Sequence, residues 1–74
     1  VSGALPVISG AQLIRALKRF GWEVVRQRGS HVRLRHPDRH TFLVVPLHQE
    51  LKRGTLRGIL RDADLDVDEL RRRL

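Results

Sequence analysis

The chain has 74 residues, no cysteine and a formal net charge of +7 at pH 7. That length holds one small domain, which buries roughly 60% of its unfolded surface and leaves no room for a second. The absence of cysteine rules out disulfides and thiolate metal ligands as supports for the core. No apolar run approaches the ~18 residues needed to span a bilayer, and no charged segment followed by an apolar one opens the chain. The expectation is a cytoplasmic protein without a membrane partner.

The charge is unevenly spread. Residues 1 to 61 carry twelve Lys and Arg against Glu23, Asp38 and Glu50, a net of +9, whereas residues 62 to 74 carry three Arg against five acidic residues. A body this basic attracts polyanions, either nucleic acid or an acidic protein, and charge alone does not choose between them.

Residues 1 to 7 read as an N-terminal tail with no functional weight, 8 to 65 as the domain, and 66 to 74 as a short C-terminal segment. The first helix is announced by Ser9-Gly10-Ala11-Gln12, in which Ser9 caps and Gln12 reaches back as the third residue of a capping box, with Ile8 as a staple. Leu13, Ile14, Leu17 and Phe20 recur at helical spacing, Arg15, Lys18 and Arg19 lie off that stripe, and Gly21 is a left-handed stop. Trp22 to Arg28 is rich in β-formers, Gly29-Ser30 makes a turn, and His31 to His36 alternates with Val32 and Leu34 on one side. The period of two then puts His31, Arg33 and Arg35 together on the wetter face. Pro37 to His40 is a second turn. Thr41 to Val45 is apolar on both faces, is stopped by Pro46, and reads as the better-buried strand.

Leu47 to Arg53 reads as a loop, after which Thr55 caps a second helix with Leu56, Ile59 and Leu60 inward. Asp66-Val67-Asp68-Glu69 resembles another capping box, before one frayed helical turn over Leu70 to Leu74. The order is α-β-β-β-α with a short tail, and the expected fold class is α+β, a three-stranded antiparallel sheet with two helices on one face.

The histidines carry the candidate chemistry. Cleaving RNA without a metal requires removing the 2′-hydroxyl proton or protonating the leaving oxygen, and imidazole suits either role. Cations must offset the charge of the transition state, and Arg26, Arg28, Arg33 and Arg35 flank His31 in sequence. On pattern alone His31 is either this proton-transfer group or a polar turn residue. His48, where the chain leaves the third strand, is a second proton-transfer group, an RNA contact or a loop residue without a role. His36 and His40 flank Pro37, but two imidazoles without a carboxylate or thiolate at ligand spacing make a weak metal site.

Lys52-Arg53-Gly54-Thr55 sets two cations and backbone N–H groups at a helix start, where the dipole favours phosphate. Asp62 to Asp68 begins like a calcium loop, yet the sixth and twelfth positions are Val67 and Arg73 rather than Gly and Glu, so calcium is rejected. Trp22 could stack on a base but fits the core better at its position, and Arg71-Arg72-Arg73 reads as a solvated tail.

An ordered set of segments resembles the HicA family of toxins. They are Ser9-Gly10; Leu17 with Phe20 to Gln27; Gly29-Ser30-His31; Arg35-His36-Pro37; Val45-Pro46-Leu47-His48; and Gly54-Thr55-Leu56 with Ile59-Leu60. Together they run through nearly all of residues 8 to 65. The resemblance implies a fold like that of double-stranded-RNA-binding domains, metal-independent cleavage of mRNA with no cofactor, and inhibition by a HicB antitoxin. The family's catalytic histidine lies in its Gly-Ser-His motif and maps onto His31, and its Pro-x-His segment maps onto His48. The family often has a basic residue after Ser-Gly; Ala11 stands there in this chain, so that phosphate contact is not carried over. The residues expected to meet RNA are Arg26, Arg28, Ser30, Arg33, Arg35, His48, Lys52 and Arg53, with His31 as general acid or base. The alternative is an RNA-binding module of the same fold without catalysis, and a third reading is a protein-interaction domain whose basic face serves an acidic partner.

Overall fold

A computed structural model describes residues 4–74, so the first three residues of the expected N-terminal tail lie outside the described residues. The element order is α1 (Gly10–Arg19), β1 (Glu23–Arg28), β2 (His31–Arg35), β3 (Leu43–Pro46), α2 (Arg53–Ala63) and α3 (Val67–Arg72). The three strands form one antiparallel sheet in the order β1-β2-β3. The fold is the expected α+β arrangement, consistent with that of double-stranded-RNA-binding domains.

Helix α1 begins where the sequence signals it. The Gln12 amide donates to Ser9 Oγ at 3.1 Å and the Ser9 amide donates to Gln12 Oε1 at 2.9 Å, so the capping box satisfies two amides that the helix itself leaves unpaired. The helix stops at Phe20, and Gly21 follows with φ +96°, a backbone conformation that L side chains rarely adopt.

Leu13 and Leu17 of α1, Val32 and Leu34 of β2, Leu43 and Val45 of β3, and Leu56 and Leu60 of α2 form one buried cluster. The helices therefore cover one face of the sheet. Strand β2 alternates exposed and buried as its sequence predicts, with Val32 and Leu34 in the core and His31, Arg33 and Arg35 exposed on the open face. Strand β1 forms an edge and is exposed at every residue, and an irregularity between Val24 and Arg26 shifts its register against β2. Such a bulge bends an edge strand and makes it a poorer template for pairing with another chain.

Three expectations need correction. The third strand is the best buried of the three, as expected, but its two apolar faces are not both covered: Leu43 and Val45 enter the core, whereas Phe42 and Val44 are about half exposed. The helices lie against only one side of the sheet, so residues of alternate parity stay in solvent whatever their polarity. The second helix starts at Arg53 with Lys52 at its N-cap and no capping side chain, which puts Thr55 inside the first turn. The C-terminal segment is a capped helix rather than a frayed turn. The Asp66–Glu69 capping box is complete, and Leu70 is fully buried in the core. Its arginines are partly engaged as well: Arg71 reaches the Ala4 carbonyl, and the Arg73 guanidinium lies 5.6 Å from the Phe20 ring centre.

Candidate functional site on the open face of the sheet

His31 is the first residue of β2, facing Arg28 across β1 and Pro46 across β3. The turn that delivers it is built locally. Gly29 adopts φ +58°, and Gln27 Nε2 donates to the Gly29 carbonyl at 3.1 Å. The Ser30 carbonyl accepts from the Leu47 amide, which ties the turn to the chain leaving β3. His48 follows at once, and its carbonyl accepts from the Gly10 amide at 2.9 Å. A Cβ on Gly10 would fall 2.0 Å from the Pro46 carbonyl oxygen, so only glycine lets α1 start this close to β3.

Residues directly opposite one another in an antiparallel pair lie on the same side of the sheet. The pairs Arg26–Arg33 and Arg28–His31 therefore place three arginines and the imidazole on the open face, with Val44 across from Arg33 on the other flank. Arg26, Arg28, His31, Arg33 and Val44 line one shallow depression of about 180 Å³. The His31 ring is exposed and takes part in none of the side-chain hydrogen bonds among the described residues. Nor do Arg26, Arg28 or Arg33 enter any of the ion pairs among those residues. An unengaged imidazole within a ring of unpaired guanidinium groups can exchange a proton while a phosphodiester is held against it.

The other expected site residues are divided. Arg35 lies on the open face one step further along β2, but its guanidinium pairs with Glu23 at 3.5 Å and it does not line the depression. Ser30 and His48 are both exposed; Ser30 is part of the turn, and His48 follows Leu47, whose amide donates to the Ser30 carbonyl. Lys52 and Arg53 do not line the His31 depression, and Arg53 borders another one with Pro6, Glu50 and Leu51.

His36 and Trp22 are structural. His36 Nδ1 accepts from the Asp38 amide at 3.1 Å and its Nε2 lies 2.9 Å from the Phe20 carbonyl. A carbonyl only accepts and an amide only donates, so the ring is held as the Nε2–H tautomer with both nitrogens occupied. Its edge packs on buried Trp22, with ring centres 5.2 Å apart. A metal at either ring nitrogen of His36 would have to displace the hydrogen bond made there, and among the described residues no group of three or more His, Cys, Asp or Glu is placed to hold one.

Sequence reasoning missed Phe42 and Val44 on the open face. Arg33 lies over the Phe42 ring, 4.1 Å from its centre. Alternation through β3, once paired with β2, would have exposed both residues; an apolar run read alone does not show which neighbours are covered.

Among the described residues no helix is long and apolar enough to cross a membrane. No curated protein matches the chain. The family model described as the HicA toxin of bacterial toxin–antitoxin systems matches residues 10–65, from the first residue of α1 to just past α2. With the sheet, both major helices and the Gly-Ser-His turn inside a match that covers well over half of its length, the chain belongs to the HicA toxin family of bacterial toxin–antitoxin systems.

Proposed function

We propose that this toxin is an endoribonuclease that cleaves mRNA without a metal ion, with His31 as the proton-transfer group, and that a HicB-type antitoxin neutralises it in the cytoplasm. One observation carries the reading: His31, Arg26, Arg28 and Arg33 converge on a single depression on the uncovered side of the sheet.

RNA carries its own nucleophile. When the 2′-oxygen attacks the adjacent phosphorus, the bond to the 5′-oxygen breaks, the 2′-hydroxyl loses a proton and the 5′-oxygen gains one. His31 serves one of these transfers as general base or general acid. The arginines hold the phosphodiester and offset the negative charge that gathers on its oxygens in the transition state. Ser30 shapes the turn that presents the imidazole. Arg35, His48, Lys52 and Arg53 extend the contact with the RNA strand beyond the reacting phosphate.

The same charges suit an inhibitor. An antitoxin with an acidic surface set over the β1–β2 hairpin would cover His31 and neutralise the cations in one step. A complex that left His31 open to a nucleotide would contradict this mode of inhibition.

The test is RNA cleavage by the purified protein in EDTA, with His31→Ala alongside. The wild type is expected to cleave, and the variant to lose the 10²–10⁴-fold typical of a positioned acid or base. Cleavage that required an added metal ion, or that the variant retained in full, would overturn the assignment. Salt-sensitive binding with the RNA left intact would identify instead a binding module of the same fold.

A further inference from the structure

We infer that the open face selects single-stranded RNA by stacking one nucleobase on the Arg33–Phe42 pair, beside the phosphate position at His31; this deepens the ribonuclease reading and rests on it.

Phe42 directly precedes β3, and the residue remains 47% exposed although the buried cluster begins at the next residue, Leu43. A phenylalanine left half in water on a sheet face, when the same strand sends Leu43 and Val45 fully inward, is not serving the core. Its neighbour on that face, Val44, is also apolar and is 50% exposed. The Arg33 guanidinium lies over the Phe42 ring at 4.1 Å from the ring centre. Arg33 also lines the depression that holds His31. One side chain thus joins the aromatic surface to the phosphate position.

This layout suits one strand of RNA better than two. Every base has a π-face that can stack on an aromatic ring or on the plane of a guanidinium, but in a duplex both faces are already taken by neighbouring base pairs. An unpaired nucleotide can turn its base onto the Arg33–Phe42 surface while its phosphate lies among Arg26, Arg28 and His31. Val44, which lines the same depression and pairs with Arg33 across the strands, offers an apolar contact to the ribose edge. Stacking of this kind is tolerant of sequence, because it requires a flat ring and no particular edge. It also orients the strand, since a stacked base fixes the phosphate beside it, and such positioning is what proton transfer at His31 requires.

The experiment measures binding of the full chain to a 2′-O-methyl decanucleotide, which has no free 2′-hydroxyl to attack, as a single strand and annealed to its complement. Wild type is expected to prefer the single strand. Phe42→Ala is expected to weaken single-strand binding by roughly 5- to 150-fold, the span found for loss of one stacked base, and to leave duplex binding unchanged. Phe42→Leu should not restore affinity, whereas Phe42→Trp should, and the emission of the new exposed indole should be quenched on binding while buried Trp22 stays silent. Phe42 is half exposed, so thermal melting of the alanine and leucine variants should stay close to wild type and separates misfolding from lost stacking. Unchanged binding by Phe42→Ala, full rescue by leucine, or a wild-type preference for duplex would each overturn the proposal. Cleavage of unmodified RNA by wild type but not by His31→Ala, together with unaffected binding in Phe42→Ala, would remove the stacking site and leave the ribonuclease reading standing.

Discussion

The two ends of β2 each carry a histidine beside a glycine of positive φ, and the two pairs are put to opposite uses. At the far end, Gly21 with φ +96° leaves space into which His36 packs. Both His36 ring nitrogens are bound to backbone, and its edge rests on Trp22. At the near end, Gly29 with φ +58° has open space around it, and His31 stands exposed among guanidinium groups. The residue type is the same, so the difference lies in what surrounds each ring. An imidazole whose two nitrogens are satisfied by the fold contributes stability, and one the fold leaves unengaged is available to a ligand.

The largest stability effect should come from the His36 end. A Cβ at Gly21 would sit 2.7 Å from His36 Nε2, and a non-glycine residue held in such a sparsely populated backbone region costs about 1–3 kcal/mol by itself. A cost of about 2 kcal/mol lowers the melting temperature of so small a domain by roughly 8–16 °C, so Gly21→Ala should melt far below wild type. Gly29→Asn is the control at the other end: Asn enters the left-handed region readily and meets no neighbour there, so its cost should stay below about 1 kcal/mol. Equal losses at both glycines would erase the contrast.

Next in size is Ser9→Ala, which removes one half of the α1 capping box and should cost about 1 kcal/mol. The Gly10 amide holds the His48 carbonyl, so the loss should spread toward His31 and not toward His36. Hydrogen exchange should accelerate at Gly10 and Leu47 while the Asp38 amide keeps its protection. The smallest effect is expected at Glu23, paired with Arg35 at 3.5 Å with both side chains at least half exposed. Glu23→Gln should shift stability by less than about 1 kcal/mol. Freeing Arg35 for a phosphate should steepen the salt dependence of single-strand binding by about 0.7 in log–log slope.

Much of this contrast was legible in the sequence, because local rules govern the near end. The alternation of Val32 and Leu34 put His31, Arg33 and Arg35 on one face, and Gly29-Ser30 marked the turn; both depend on residues within a few positions of each other. What the sequence concealed depends on contacts between distant residues. His36 looks like a loop histidine until α1 brings the Phe20 carbonyl to it. Leu70 looks like the start of a frayed end until α3 folds it into the core. Phe42 and Val44 look buried because an apolar strand does not reveal that its sheet is covered on one side only. Among the cations, Lys52 and Arg53 share the sign of Arg26, Arg28 and Arg33, but charge in a sequence carries no direction, and of these five only Arg26, Arg28 and Arg33 line the His31 depression.

The most direct measurement compares His31→Ala with His36→Ala, following RNA cleavage in EDTA at 10 °C and thermal melting for each. His31→Ala should melt like wild type and lose cleavage by at least about 10²-fold. His36→Ala, which leaves the Phe20 carbonyl and the Asp38 amide without their partner, should lose about 1–3 kcal/mol of stability and still cleave at a temperature where it remains folded. The opposite pattern, with His31→Ala cleaving as wild type or folded His36→Ala inactive, would contradict the division of labour between the two ends of β2.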